Sequence, residues 1–468
     1  MEQWSGRAGF ILAAIGAAVG LGNIWRFPAV VGQNGGGAYL VPYLFAAVLF
    51  AVPLMILEIS VGRSLRSDII TACRRIREEF AVVGWLIGAA NLAILSYYLV
   101  ITGWVLAFFL AALTNYDTTF EGLTATYIPV VFFLICAVIV GIIVAGGIQS
   151  GIERMATVLI PLTFLILIGL GIYITQLDGF GDGLAFFLTP DLSVLGNPTI
   201  WSAAFGQVFF SFSVGMGVLL TYGSYLDAET SVPKASVAIA GADLAVAMIS
   251  GIVIFTLVFT FGLDTTSGTE LAFNTLPVAF ESMAYGSVVA VLFFGLLFVA
   301  AIAPSVSMLE VGVAGTMRAT SWSRRRATMA VTGVIILAGL PSALSYSAAS
   351  FHLRGRPFLD VLDASVGTYA LPVAAIGIIV LFMWIQDTDV LRTQVPSKVL
   401  RILLAYVVPA VLIVVTGIQA ITGFDRTPWS RLATANPLGQ MGILIGLTFV
   451  LGMIGIYYWM GSSQRKLP

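Results

Sequence analysis

An asparagine and an arginine lie within an otherwise apolar, glycine-rich segment near the start of the chain, residues 16–28. A membrane helix can interrupt its backbone hydrogen bonds only where the freed groups meet protein, water or a ligand. Gly16, Gly20 and Gly22 therefore indicate a break that faces a cavity. Arg26 supports this interpretation, because ionisable residues within a membrane face the protein interior and mark functional sites. The segment is typical of a binding site.

A second glycine-containing break with polar residues occurs at residues 207–217, in the sixth apolar stretch of the chain. The first break lies in the first stretch, so the offset is five, and an odd offset inverts the second unit relative to the first. We therefore predict an inverted repeat whose two broken helices meet near the middle of the bilayer, as in secondary transporters. The alternative is that the glycines only allow close helix packing, but packing does not require polar residues at matching places.

Twelve apolar stretches of about 20 residues, the length that crosses a bilayer, are predicted as membrane spans. They cover residues 8–33, 38–62, 84–113, 127–147, 155–176, 199–226, 235–263, 285–317, 327–345, 365–386, 400–422 and 438–460. Basic residues concentrate in alternate connections, which predicts cytoplasmic N- and C-termini. The predicted organisation is a first repeat over 1–176, a second inverted repeat over 199–388 and two further helices within 400–460.

The composition points to the same class of protein. With 59% hydrophobic and 10% charged residues, the 468-residue chain is predicted to be an all-α integral membrane protein surrounded by lipid. A net charge of -1 gives no signature of nucleic-acid binding. We find no metal-ligand spacing and no supported hydroxyl–histidine–acid arrangement, so no catalytic residue and no enzymatic activity are predicted. Glu58 and Glu310, which fall in predicted spans, are interpreted as structural anchors rather than as a proton relay.

The first break and the sequence after it resemble the neurotransmitter:sodium symporter family, which includes the bacterial leucine transporter. The resemblance begins at residues 20–28, Gly-Leu-Gly-Asn-Ile-Trp-Arg-Phe-Pro, and continues through residues 34–38, Tyr97-Tyr98, 206–213 and 360–363. It implies a LeuT-type fold, with a 5+5 inverted repeat, two extra C-terminal helices, twelve transmembrane helices and discontinuous helices 1 and 6. It also implies sodium-coupled transport by alternating access. The short connection over 115–126 is similar to prokaryotic members, which places the protein in a prokaryotic cell membrane.

The resemblance implies a substrate site between the two breaks. The backbone amides of Leu21 and Gly22 would bind a carboxylate, because free N–H groups at the start of a half-helix suit an anion. Tyr98 would add its hydroxyl group. Gly20 stands where monoamine carriers have an aspartate, so an amino acid is predicted rather than a monoamine. The residues assigned to substrate binding are Ala18, Leu21, Gly22, Ile94, Tyr98, Phe210, Ser211, Ser213, Met216, Pro304 and Met308.

Within this set, the carbonyls of Ala18 and Phe210 and the hydroxyl of Ser213 would receive the ammonium group of the substrate. The side-chain pocket implied by the resemblance is apolar and carries no charge; it maps to Ile94, Phe210, Ser213, Met216, Pro304 and Met308. We therefore predict a neutral, medium-to-large hydrophobic amino acid, either branched aliphatic or aromatic.

The family's first sodium site maps onto the Ala18 carbonyl, the Asn23 side chain, Ser211 and Asp243, together with the substrate carboxylate. Asp243 replaces the asparagine that is usual in the family. A fixed carboxylate there could supply the negative charge that chloride-dependent members obtain from chloride, next to residues matching Tyr43, Gln207 and Ser211. We therefore predict transport without chloride. The alternative is a buried acid paired with a base elsewhere in the chain.

The second sodium site is left open. Its backbone ligands map to Gly16, Val19 and Ala300, but the two side-chain ligands of the family become Ala303 and Pro304. One hypothesis is a weakened site rich in carbonyl groups, with Ser305 as a substitute ligand. The other is coupling to a single sodium ion.

The gates implied by the resemblance match those of the family only in part. Arg26 and Asp363 match an outer ion pair that closes above the substrate, while Trp4 and Tyr225 match the aromatic part of an inner gate. The usual inner ion pair is replaced by Met1 and Arg318, and we predict a reversed pair between Glu2 and Arg318. The favoured function is a sodium-coupled amino acid importer. The alternatives are a substrate-sensing receptor, a carrier of another zwitterion such as a betaine, or a carrier with altered ion coupling.

Overall fold

A computed structural model describes residues 2–116, 118–265, 272–386 and 397–422. This part of the chain is helical, except for a two-stranded antiparallel ribbon that pairs β1 (His352–Leu353) with β2 (Arg356–Pro357). The helices follow in the order α1 (Arg7–Ala18), α2 (Gly22–Gln33), α3 (Gly37–Leu65), α4 (Ile69–Ile76), α5 (Glu78–Thr114), α6 (Phe120–Thr124), α7 (Ile128–Ala145), α8 (Ile148–Gln176), α9 (Phe180–Leu188), α10 (Pro198–Ser211), α11 (Val218–Gly223), α12 (Val232–Thr260), α13 (Thr275–Glu281), α14 (Gly286–Thr320), α15 (Arg324–Ser345), α16 (Phe358–Ile385) and α17 (Lys398–Gly417).

Nine helices in the described ranges are long and apolar enough to cross a membrane, and the bent pair α1–α2 brings the number to ten. They correspond to predicted spans 1–5 and 7–11. The sixth predicted span is divided between α10 and α11, each of which is too short to cross a bilayer alone. The twelfth, at 438–460, lies outside the described residues, as does the end of the second predicted repeat at 388. The inverted repeat itself remains a prediction.

The first break separates α1 from α2, whose axes differ by 48°. Val19 leaves the helical conformation at φ -72° and ψ 114°, and the Gly20 amide donates to the Asn23 side-chain oxygen at 3.0 Å instead of to a helix carbonyl. The side chain of Asn23 therefore satisfies a backbone group that the break would leave unpaired. The discontinuity that the sequence predicts in helix 1 is present.

The second break lies between the end of α10 at Ser211 and the start of α11 at Val218. Gly215 and Gly217 adopt φ values of 82° and 72°, in the left-handed region that glycine enters without a steric penalty. The Gly215 amide donates to the Glu58 carboxylate of α3 at 2.7 Å, and Glu58 is fully buried. This contact fits the interpretation of Glu58 as a structural anchor.

Among the described helices that are long enough to cross a membrane, α5 is the most buried and α8 the least. In its most apolar window α5 is 83% buried, whereas α8 is 28% buried. Helix α5 packs directly against α14, and α1 packs against α8, α12 and α14. The broken helices are therefore held in the interior, where freed backbone groups have protein partners.

Candidate functional site

A small cavity of about 20 Å³, here called the central cavity, lies between the two helix breaks. Its lining consists of Ala17, Ala18, Gly20, Gly22, Ile94, Tyr98, Phe210, Ser211, Ser213, Met216, Pro304 and Met308. Ten of the eleven residues that the sequence assigns to substrate binding thus come together at one place. The exception is Leu21, which lines a larger neighbouring cavity.

Polar groups from both breaks reach the central cavity. The Tyr98 hydroxyl accepts a hydrogen bond from the Leu21 amide at 3.2 Å, which brings together the two groups expected at a carboxylate. The Ser213 hydroxyl donates to the Ala17 carbonyl at 2.7 Å. Sequence reasoning named Ala18 but missed Ala17, because only the packing of α1 against the second break decides which carbonyl faces Ser213.

The rest of the cavity is apolar, and none of its lining residues is charged. Gly20 is required sterically: a Cβ atom there would lie 2.8 Å from Pro304 Cγ and 2.9 Å from the Tyr98 hydroxyl oxygen. An aspartate at this position would collide with both. The site therefore has no room for the acidic side chain that a monoamine carrier would use.

Asn23, Ser211 and Asp243 form one buried, hydrogen-bonded cluster beside the central cavity. Asn23 Nδ2 donates to Asp243 Oδ1 at 2.7 Å and to the Asp243 carbonyl at 3.2 Å, and the Ser211 hydroxyl lies 3.0 Å from Asp243 Oδ2. All three residues are at most 1% exposed. Three of the four predicted ligands of the first sodium site are thus together, and the fourth, Ala18, lines the adjacent cavity.

The cluster fits a small, hard cation. No basic side chain pairs with Asp243 in the part of the chain that the structure describes, and an uncompensated buried carboxylate is costly. Carboxylate, amide and hydroxyl oxygens are the ligands that hard cations prefer. The second break adds Gln207, whose Nε2 donates to the Gly22 carbonyl at 2.7 Å and ties α10 to the start of α2.

The residues predicted for a second sodium site offer a different set of ligands from the first. A Cβ atom at Gly16 would lie 3.3 Å from the Ala303 Cβ, so α1 and α14 approach closely there. Gly16, Val19 and Ala300 offer carbonyl groups only. The Ser305 hydroxyl donates to the Ala301 carbonyl of its own helix at 2.8 Å, which leaves the lone pairs of its oxygen available. The role of Ser305 as a substitute ligand stays a prediction.

A larger cavity of about 230 Å³, the outer cavity, lies on the far side of Tyr98 and Phe210 from the N-terminal segment. Arg26 and Asp363 both line it, but they do not form the predicted ion pair in this structure. The Arg26 guanidinium instead lies 4.5 Å from the centre of the Phe210 ring. The prediction that they pair above a bound substrate stays a prediction.

The opposite face of the protein, here called the N-terminal face, is closed by residues 2–5 and the helix ends that hold them. Trp4 donates from its backbone amide to the Tyr225 carbonyl at 3.3 Å and from Nε1 to the Tyr222 carbonyl at 3.0 Å. The Tyr225 hydroxyl donates to Glu310 at 2.7 Å. Trp4 and Tyr225 are thus together, as the resemblance implied for the aromatic part of the gate.

The predicted pair between Glu2 and Arg318 is wrong. Glu2 pairs with Arg324, which also bonds to the buried Glu310 at 2.6 Å, whereas Arg318 pairs with Asp68 at 3.3 Å. The start of α15, rather than the end of α14, lies beside the N-terminal segment. Glu310 could have signalled this arrangement, because a carboxylate within a membrane span needs a basic partner.

Together, the broken helices, the small cavity between them and the buried oxygen cluster define a multi-span membrane transporter. The profile of the sodium:neurotransmitter symporter family matches residues 1–128 and 118–460. The chain belongs to this family, as its first break indicated. It is therefore a sodium-dependent transporter and a multi-pass membrane protein, not an enzyme.

Individual proteins support the assignment. A sodium-dependent transporter of Bacillus subtilis (strain 168) is 32% identical over 387 residues, which cover 80% of this chain and 86% of that protein. One from Methanocaldococcus jannaschii is 32% identical over 420 residues and 84% of each chain. The crystal structure of MhsT in complex with L-phenylalanine matches with a TM-score of 0.82 at 37% identity, covering 89% of this chain and 99% of that one.

Proposed function

We propose that the protein imports neutral hydrophobic amino acids together with sodium by alternating access, and that it does so without chloride. The observation that carries the proposal is the contact between the two sites. Ser211 lines the central cavity and also belongs to the cluster of Asn23 and Asp243. A substrate carboxylate bound next to the Leu21 amide would therefore lie close to a cation in the cluster, and each would stabilise the other.

The substrate class follows from the lining of the central cavity. Ile94, Met216, Pro304 and Met308 supply an apolar surface, and the cavity offers no charge to a basic or acidic side chain. MhsT, with 37% identity, is a protein that binds L-phenylalanine. Two methionines favour a range of side chains over a single substrate, because thioether side chains adapt their shape easily.

Independence from chloride rests on Asp243. Its carboxylate accepts hydrogen bonds from Asn23 and Ser211 without a basic partner in the described residues. This fixed negative charge balances a bound cation in the way that a chloride ion would. The variant Asp243→Asn keeps the shape of the side chain and removes the charge, so we expect it to become dependent on chloride.

The proposal is tested by uptake of labelled leucine, phenylalanine and tryptophan into proteoliposomes at fixed pH and membrane potential. We expect accumulation with an inward sodium gradient, no accumulation without one, and equal uptake after gluconate replaces chloride. Binding without accumulation would instead favour a substrate sensor, a function that the altered positions Ala303 and Pro304 make reasonable. Effective competition by glycine betaine would point to a different zwitterion.

We also propose the architecture that goes with this function: two inverted units over residues 1–176 and 199–388, two further helices within 400–460, and both termini in the cytoplasm of a prokaryotic cell. In this orientation the N-terminal face is cytoplasmic and the outer cavity opens to the outside. Accessibility of single cysteines placed at Gln3 and at His352 to a membrane-impermeant reagent tests it in intact cells. We expect labelling at 352 and not at 3; the reverse result would contradict the orientation.

A further inference from the structure

One wall of the central cavity is built from two apolar side chains on different helices, Ile94 of α5 and Met308 of α14. One turn before Ile94, Asn91 is fully buried and lies outside the cavity lining. Its Nδ2 donates to the Met308 carbonyl at 2.8 Å. A side-chain hydrogen bond between helices therefore connects the backbones that carry the two wall residues.

Asn91 is a costly residue for this position. Its Oδ1 is buried and has no hydrogen-bond partner, and leaving a buried acceptor unsatisfied destabilises the folded state. A leucine has the same branched shape and no acceptor that could be left unpaired. Stability therefore does not account for the carboxamide, and its distinguishing property is the bond from Nδ2 to α14.

The next turn of the two helices is also closely packed. A Cβ atom at Gly312 would lie 3.0 Å from Leu92 Cδ2, so the backbone of α14 approaches α5 as nearly as that side chain allows. Two adjacent contacts thus fix the spacing of the helices: the bond from Asn91 to Met308 and the packing of Leu92 on Gly312. The distance between Ile94 and Met308 across the cavity wall depends on both.

We propose that Asn91 is a positioning residue that sets the width of the side-chain pocket between Ile94 and Met308, and thereby the size of amino acid that the transporter prefers. The inference rests on the proposed function. Without the bond, α14 is held to α5 only by apolar packing, which is not directional. The pocket then widens more easily. The transport efficiency for a large aromatic substrate therefore rises relative to that for a branched aliphatic one.

The experiment compares Vmax/KM for sodium-driven uptake of leucine and tryptophan in the wild type and in Asn91→Leu. This substitution keeps the branched shape of the side chain and removes the donor. We expect the tryptophan-to-leucine ratio to rise about two- to twelvefold, the range that corresponds to one hydrogen bond. Ser96→Ala is the matched control: Ser96 is buried on the same helix, but its hydroxyl bonds to Ala93 of that helix, so the ratio should stay unchanged.

A merely structural role would change the amount of folded protein or Vmax for both substrates equally, and would leave the ratio as it is; that result would overturn the inference. If Asn91→Leu does not fold, Asn91→Ala gives the same comparison with a smaller side chain. In the double variant with Met308→Leu, the effects of the two substitutions on the ratio should not be additive, because both change the same wall of the cavity. If the wild type itself accumulates neither amino acid, the proposed function fails first, whereas an unchanged ratio in an active Asn91 variant removes only the inference.

Discussion

The two sides of the central cavity differ in how their charged side chains are arranged. On the N-terminal face Arg324 bonds to both Glu2 and Glu310, and a second pair joins Arg318 to Asp68. On the opposite side Arg26 and Asp363 line one cavity without pairing. The structure therefore has paired charges at a closed N-terminal face and an unpaired arginine and aspartate at the outer cavity. This difference between the two sides is what the proposed alternating access requires.

The largest expected effect is that of removing Arg324. Glu310 is fully buried, and Arg324 is its only basic partner among the described residues. Breaking a buried ion pair by removing one partner costs about 3–5 kcal/mol. We expect Arg324→Ala to open the N-terminal face, which cysteine labelling at Gln3 or Ser5 would detect as a faster reaction. Arg325→Ala, an exposed neighbour, is the control; equal labelling in both variants would contradict the closed face.

The outer side gives the next prediction. Arg26 and Asp363 do not pair in the open structure, and we expect them to pair when substrate closes the outer cavity. Arg26→Gln and Asp363→Asn should then show a coupling energy of at least about 0.5 kcal/mol in substrate affinity. Without substrate, the effects of the two substitutions on thermal unfolding should be additive. Coupling under both conditions would mean that the outer pair is permanent and that the two sides do not differ.

At Asp68 the effect is expected on the stability of the protein and not on substrate affinity. Its Oδ1 accepts from the Ile70 and Thr71 amides at the start of α4, and its Oδ2 faces Arg318. Asp68→Ala removes an N-cap and one ion pair, so unfolding should become easier by about 1–2 kcal/mol. Thermal unfolding in detergent measures this change. Asp68→Asn retains the cap and should recover most of the loss; if it does not, the ion pair with Arg318 is the larger contribution.

The smallest effect belongs to Glu2, which is 40% exposed. Exposed ion pairs contribute about 0–1 kcal/mol, so Glu2→Gln should change uptake only slightly. The exchange Glu2→Arg with Arg318→Glu should not restore any activity that either single variant loses, because each residue has a different partner. Restoration of uptake by the exchange would show that the two residues meet in another conformation.

The sequence was a good guide wherever the evidence was local. The glycines and polar residues at 16–28 and 207–217 marked both breaks, and the structure places the breaks beside one cavity. The family assignment is confirmed by the comparisons. Substrate binding at these positions remains a prediction. The partner of Asn91 had no sequence signal, because Met308 lies 217 positions away and contributes a backbone carbonyl.

What the sequence alone determined is where the helices are interrupted and which oxygen-bearing and apolar side chains lie at the interruptions, since these depend on residue type and spacing along one segment. The tertiary structure decided which charges meet. Arg324 and Arg318 are both basic and lie six positions apart. The packing of α14 and α15 places Arg324 beside Glu2 and Arg318 beside Asp68. Ion pairing depends on distance in space, and hydropathy along the chain does not contain that distance.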